Sequence, residues 1–251
     1  MTSGVGLLDA GLPMPAVGVF TTRAGGTSRP PWSATNLALH TGDDWDRVNA
    51  NRDLLARQLG LTVGDLIFGR QVHGVGVRLV ERATSSGMGR GLRDTDGLVT
   101  TRPGTALVMM GADCPPVLLA DPHAGVVGAA HVGRPGLAAG VLREVLRVMA
   151  EQGAEPARTT AVIGPGVCGL CYEVPSEMAD DVARRAPGSR GTTRQGTASV
   201  DLVAGATRQL ENAGIATISS LGGCTVEQPD LFFSYRRDGV TGRHGGVVLL
   251  R

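Results

Sequence analysis

Short apolar runs rich in valine alternate along the chain with longer segments whose apolar positions recur every three or four residues. The runs AVGVFTTR (16–23), GVGVRLV (74–80), ALVMMGA (106–112), PVLLAD (116–121), GVVGAAH (125–131), TTAVIGP (159–165), ATISS (216–220) and GGVVLL (245–250) have the length and branching of strands. Helical spacing places Val48, Arg52, Leu55 and Leu59 near one face of a helix that follows Asp43 and Asp44. A second helix is predicted in GLAAGVLREVLRVMAEQG, where Leu137, Val141, Val145 and Val148 recur and Gly153 supplies a stop. Two more are predicted over 176–186, after Pro175 and Ser176, and over 201–213, with Asp201 as the N-cap.

Strands that are adjacent in some places and separated by helices in others predict a mixed sheet covered by helices. The polar, glycine-rich stretch SSGMGRGLRDTDG (85–97) reads as a mobile loop, and APGSRGTTRQGTAS (186–199) as a second soft segment open to disorder. Neither requires a domain boundary, so one domain over residues 1–251 is expected.

Composition narrows the function classes. A 42% hydrophobic content fills a core, while a formal net charge of +1 and only 3% aromatics argue against a nucleic-acid partner. No run approaches the roughly 18 apolar residues that span a bilayer, so no membrane partner is expected. The N-terminal MTSGVGLLDAGLPMPAVGVF lacks a basic leader and is broken by prolines, which predicts a soluble, cytoplasmic protein. In that setting Cys114, Cys168, Cys171 and Cys224 are thiols, ligands or redox groups rather than a disulfide framework.

The stretch GADCPPVLLADPHAGVVGAAHVGRPG (111–136) carries the first candidate chemistry. If PVLLAD and GVVGAAH form a hairpin with Asp121 opposite Val126, Pro116 falls opposite His131 and position 114 opposite Gly133. Cys114 and His131 are then diagonal neighbours on one face, about 7–8 Å apart at their α-carbons and within reach of one ion. A slip of one residue would separate them, and Pro115 and Pro116 interrupt the ladder. An open zinc site takes three protein ligands, so the pair needs a third. His73 in RQVHGVGV stands out; His123 and His244 read as surface residues, and His40 stays open. The alternative is that Cys114 is a small buried hydrophobe and the histidines are satisfied within the fold.

The segments FTTRAGGTS, NLALHTGDD, RQVHG, DTDGLVT, GADCPPVLLADP, GAAHVGRPGLAAGV, IGPGVCGLCYEV, SVDL and CTVEQPDLFFSYRRDGVTGR carry a family resemblance in order over nearly the whole chain. The chain resembles the bacterial laccase-domain family, described both as multicopper polyphenol oxidases and as zinc-dependent purine nucleoside phosphorylases. The resemblance implies an α+β fold, a single domain of mixed β-sheets layered with α-helices as α/β/β/α. It implies a catalytic metal site at His73, Cys114 and His131, with zinc as cofactor and copper as the alternative. It implies purine nucleoside and phosphate as partners: phosphorolysis of adenosine, inosine, guanosine and methylthioadenosine, with adenosine deamination alongside. Some members are linked to editing of peptidoglycan precursors. Relatives usually read AHAGWRG where this chain reads AHVGRPG, so Arg134-Pro135 replaces a Trp-Arg pair and displaces the arginine by one position.

Zinc in such a site lowers the pKa of bound water to about 7 for deamination. In phosphorolysis phosphate is the nucleophile, and the planar fork of arginine suits it. Arg23, Arg70, Arg134 and Arg236 are the candidates, with Asn36 and Tyr235 as nucleoside contacts on motif position. Asp113 either orients a ligand histidine, moves protons, or caps a turn. The C-x-x-C of Cys168 and Cys171 admits redox chemistry or a second metal, but it has no partner C-x-x-C, and buried structural thiols are the expectation. Cys224 is read as packing. Competing classes are a copper oxidase, disfavoured by the five histidines, a hydrolase with Cys114 as nucleophile and His131 or His73 as base, and a cell-envelope editing factor.

Overall fold

Alternation of side chains along a strand sends successive residues to opposite faces, and here both faces of two sheets are buried. The computed structural model describes residues 4–81, 89 and 91–251. The first sheet contains β1 (Leu7–Asp9), β2 (Ala16–Thr21), β3 (Leu66–Phe68), β6 (Ala106–Gly111) and β13 (His244–Leu250) in the order β1-β2-β13-β6-β3. The second contains β4 (Val77–Leu79), β5 (Gly97–Thr100), β7 (Pro116–Asp121), β8 (Val126–His131), β9 (Thr160–Ile163) and β12 (Thr217–Ser220), ordered β12-β9-β7-β8-β5-β4. Both are mixed, with antiparallel pairing inside and a parallel pair at one edge of the first sheet and at both edges of the second. A small hairpin, β10 (Arg190–Thr192) with β11 (Ala198–Val200), stands apart.

The period of two sorts the core into three layers. Leu107, Met109, Val248 and Leu250 of the first sheet meet Leu118, Ala120, Val127 and Ala129 of the second in the central layer. Their sequence neighbours Val108, Met110, Val247 and Leu249 face the other way, onto α1 (Trp45–Gln58). On the far side Val117, Leu119, Val126 and Ala130 pack beneath α2 (Arg134–Ala139), α3 (Val141–Glu151), α4 (Ser176–Arg185) and α5 (Leu202–Asn212). The fold is the expected α+β arrangement of mixed sheets covered by helices, layered α/β/β/α. A last helical turn, α6 (Tyr235–Asp238), caps one end. Among the described residues, no helix is long and apolar enough to cross a membrane.

Helix signals translate directly. Asp44 caps α1 by accepting from the backbone N–H groups of Asp46 and Arg47, and Asp201 caps α5 through Ala204. Val48, Arg52 and Leu55 are all buried on one face of α1; the Arg52 guanidinium lies 3.9 Å from the centre of the Phe68 ring and donates to the Leu37 carbonyl. The single helix expected around 136–153 is instead two, because Gly140 sits at φ +92° and turns the chain between α2 and α3.

Two expectations are corrected. His244 is buried rather than on the surface: it opens β13 opposite Gly111 and stacks near-parallel to Phe233 at 6.5 Å. The stretch 186–199 is not disordered, since most of it forms the β10–β11 hairpin, closed by a 2.7 Å bond between the Thr193 and Thr197 hydroxyls. Of the segment read as a mobile loop, 85–88 and 90 lie outside the described residues. Residues 91–97 are tied in: Leu92 exchanges backbone bonds with Phe68 and Arg70, and Gly97 begins β5.

Leu118 is fully buried between the sheets. Leu118→Ala is expected to cost about 2–5 kcal/mol in urea unfolding, with the midpoint lowered and the slope unchanged.

Candidate metal centre

The hairpin register is the one the sequence arithmetic requires, with Asp121 opposite Val126 and Pro116 opposite His131. Cys114 lies beyond the ladder, in the 112–115 connection that carries the chain from β6 of one sheet to β7 of the other. His73 lies in the loop between β3 and β4 at φ +60°, a left-handed conformation uncommon for a residue with a Cβ. One ligand atom each of His73, Cys114 and His131 lies within 4.8 Å of the others. The two imidazoles meet edge to face with centroids 4.8 Å apart. Gly133 makes this approach possible: a Cβ there would stand 2.5 Å from the His73 ring and 3.4 Å from the Cys114 sulfur.

Asp96 holds the arrangement. Its fully buried carboxylate accepts from the backbone N–H of Val72 at 3.1 Å, His73 at 3.0 Å and Gly74 at 2.9 Å, and bonds His131 Nδ1 at 2.8 Å. Its carbonyl also accepts from the His131 backbone N–H at 2.8 Å. Burial would raise the carboxyl pKa, but the His131 bond and the backbone donors outweigh it and hold the group below its ordinary value. An ionised carboxylate only accepts, so Nδ1 of His131 carries the proton in that bond, and Nε2 is the nitrogen a metal would take. Asp96 belongs to DTDGLVT, a segment matched by family but given no site role; its part as histidine holder had no local signal.

Electrostatics favours a thiolate. Burial alone would raise the Cys114 pKa, but the hydrogen bonds and charge of His131 and His73 bring it down to about 6. Burial works against protonated His131, yet Asp96 and Cys114 push its pKa up to about 9.

His73, Cys114 and His131 line a cavity of about 610 Å³ together with Gln71, Tyr172, Tyr235, Arg236 and Arg243. Gln71 fixes the His73 loop by exchanging two bonds with the Met110 backbone, at 2.7 and 2.9 Å. The Arg236 guanidinium lies 4.8 Å from the Tyr172 ring centre, and that of Arg243 lies 5.9 Å from the Tyr235 ring centre. Tyr235 and Arg236 were expected at the site; Tyr172 and Arg243 were not, because their motifs offered no chemical signal.

The remaining candidates sit elsewhere or are occupied. Asp113 borders the cavity at φ +105°, but its carboxylate accepts from Thr225 Oγ1, Ser234 Oγ and the Arg236 backbone, each at 2.7 Å. It therefore ties down the 225–236 segment, while Asp96 orients the histidine. Arg23 donates to the Ser33 and Pro229 carbonyls, and Asn36 is buried in a knot with Thr41, Asp43 and Arg243. Arg70 pairs with Asp94 on the exterior. Arg134 opens α2, where Pro135 fits because a first-turn N–H is not needed; none of these four lines the cavity.

The donor set suits one borderline-soft ion with an open position. It does not suit a multicopper cluster: His123 is exposed in the β7–β8 turn, the buried His244 ring packs on Phe232 and Phe233, and His40 lines the cavity without joining the group of His73, Cys114 and His131.

A mixed α+β sandwich with a His-Cys-His centre at the junction of its sheets defines a recognisable class. Residues 17–251 match the model of the multi-copper polyphenol oxidoreductase laccase family, and the chain belongs to that family. It is 44% identical to a purine nucleoside phosphorylase of Corynebacterium glutamicum over 92% of this chain and 93% of that one. It is 47% identical to a purine nucleoside phosphorylase of Streptomyces griseus over 92% and 93% of the two chains. The crystal structure of YlmD from Geobacillus stearothermophilus superposes with a TM-score of 0.89 at 33% identity, covering 98% of this chain and 96% of that chain.

Two outcomes test this geometry. In Asp96→Asn, titration against a competing chelator is expected to show metal affinity reduced about 10–100-fold. In metal-stripped wild type, alkylation of Cys114 should rise with pH through a midpoint near 6, where an unperturbed thiol would show about 9; a midpoint near 9 would remove the His131–Cys114 coupling.

Proposed function

We propose that the chain is a zinc-dependent purine nucleoside phosphorylase acting on adenosine, inosine, guanosine and methylthioadenosine. The observation that carries this is the coincidence of the His73–Cys114–His131 centre with a cavity walled by two tyrosines and two arginines. The relatives named as purine nucleoside phosphorylases supply the substrate class. Zinc held by His73, Cys114 and His131 would supply a Lewis acid to the cavity.

The chain's own groups divide the remaining work. Tyr172 and Tyr235 offer aromatic faces for the base and sugar. Arg236 and Arg243 offer cationic forks that neutralise phosphate while its oxygen attacks C1′ of the ribose. The glycosidic C1′–N9 bond breaks as the phosphate oxygen bonds C1′, its electron pair leaves with the purine, and a proton from phosphate or solvent neutralises the departing base. Asp96 keeps His131 and the His73 loop in register throughout. Adenosine deamination is the accompanying reaction, in which water adds at C6 of the base, the C6–N6 bond breaks and ammonia leaves.

One observation favours a second reading. Cys114, His131 and Asp96 follow one another as thiol, imidazole and carboxylate, the order of a cysteine nucleophile with its base and orienting acid. This would be a hydrolase, including one that edits peptidoglycan precursors, and it needs no metal. A single copper ion on the same ligands, for polyphenol oxidation, is the further alternative that the family's description suggests.

The test is release of free base from adenosine by untagged, zinc-loaded protein. Base and ribose 1-phosphate are expected only with phosphate present, and Arg243→Ala should raise the KM for phosphate about tenfold or more. Equal release without phosphate would make the reaction a hydrolysis. Activity that survives chelation but is lost on thiol alkylation would favour the nucleophile reading.

A further inference from the structure

Beside the cavity, two tight turns face one another, each presenting a ligand at positions i and i+3. In the first, the Cys168 carbonyl accepts from the backbone of Cys171 at 2.9 Å and Tyr172 at 3.0 Å. In the second, the Cys224 carbonyl accepts from Glu227 at 3.2 Å and Gln228 at 3.0 Å. A bridge between Gly166 and Cys224 and a 3.4 Å bond from the Cys168 N–H to the Cys224 sulfur hold the turns together. The three sulfurs and a Glu227 carboxylate oxygen consequently lie within 4.8 Å of one another.

We propose that Cys168, Cys171, Cys224 and Glu227 form a second metal site, a closed one that takes a structural zinc ion. Tetrahedral zinc with bonds of about 2.3 Å to sulfur separates its ligands by about 3.8 Å, so the cluster needs only a small contraction around the ion. Thiolate donors select zinc over hard cations. Four protein ligands leave no position for substrate, which distinguishes this site from the three-ligand centre in the cavity. Cys171 Sγ and the Arg194 guanidinium both meet Glu227 Oε1, and the Arg194 charge offsets part of the negative charge of a three-thiolate shell.

The position gives the ion a task. The first turn leads into Tyr172, and the segment beginning with the second supplies Tyr235 and Arg236; all three line the cavity. Thr225, next to Cys224, donates to Asp113, the neighbour of Cys114. Zinc here reinforces a joint that the Gly166–Cys224 bridge already makes, and fixes the two turns as one wall of the cavity. The proposal stands on these turns and is independent of the phosphorylase reading.

Untagged protein purified under reducing conditions provides the test, with Cys114→Ala used to disable the cavity centre. Elemental mass spectrometry is expected to find close to one zinc per chain in Cys114→Ala, falling at least tenfold when Cys168→Ser and Cys224→Ser are added. Cobalt-substituted Cys114→Ala should show an intense thiolate-to-cobalt absorption that the combined variant lacks. If that variant does not fold, Glu227→Gln on Cys114→Ala provides the milder change, expected to weaken zinc retention against a chelator at least fivefold. Zinc-free Cys114→Ala would overturn the proposal, as would a mass two hydrogens light, marking a disulfide among these cysteines, or zinc retention unchanged by Cys224→Ser.

Discussion

A carboxylate withdrawn from water must find donors or lose its charge, and Asp96 finds them on two elements, the 72–74 loop and β8. Three consecutive backbone N–H groups, of Val72, His73 and Gly74, close on its oxygens, and His131 Nδ1 completes the set. The bonds to the loop fix His73 in its left-handed turn; the bond to β8 fixes the tautomer and direction of His131. Cys114 arrives from the third side, where the chain passes between the sheets. The centre is thus set by the compensation of one buried charge, and its cysteine inherits a lowered pKa from the histidines that Asp96 positions.

Much of this was legible wherever local chemistry and periodicity agree. The β7–β8 register stayed conditional in the sequence, since strands buried on both faces tolerate a slip of one residue, and the structure selects the pairing with Pro116 opposite His131; the helix caps at Asp44 and Asp201 follow from their side chains alone. The centre itself was partly legible: Cys114 and His131 came from register, while His73 became convincing only through the ordered family motifs. Asp96 was hidden because its flanks, polar and glycine-rich, look the same as a solvated loop. His244 was misjudged for a related reason, since flanking Arg243 and Gly245 suggest a surface turn whereas sheet pairing buries the ring. The arginines show the limit most clearly. Arg23 and Arg70 sit in family motifs yet spend their donors on carbonyls and on Asp94, while Arg243, with no signal of its own, reaches the cavity.

The replacement of the usual Trp-Arg by Arg134-Pro135 also has a place in this picture. It falls on the first turn of α2, past Gly133, the glycine that His73 and Cys114 crowd. Proline is compatible with that first turn, and the cavity draws its cations from the 235–243 segment instead. Arg134 accordingly lies outside the cavity that His73, Cys114 and His131 line, and the arginines that border it are Arg236 and Arg243. The same segment is anchored by Asp113 and abuts the Cys168–Cys171–Cys224 cluster, so the cavity wall and the ligand set share supports.

The most direct measurement is anomalous diffraction from a crystal of the untagged protein, recorded on both sides of the zinc absorption edge. The account predicts a peak bonded to His73, Cys114 Sγ and His131 Nε2 that collapses below the edge, with Asp96 still holding His131 Nδ1. Absence of any anomalous peak among those three side chains, in protein grown with zinc present, would contradict it.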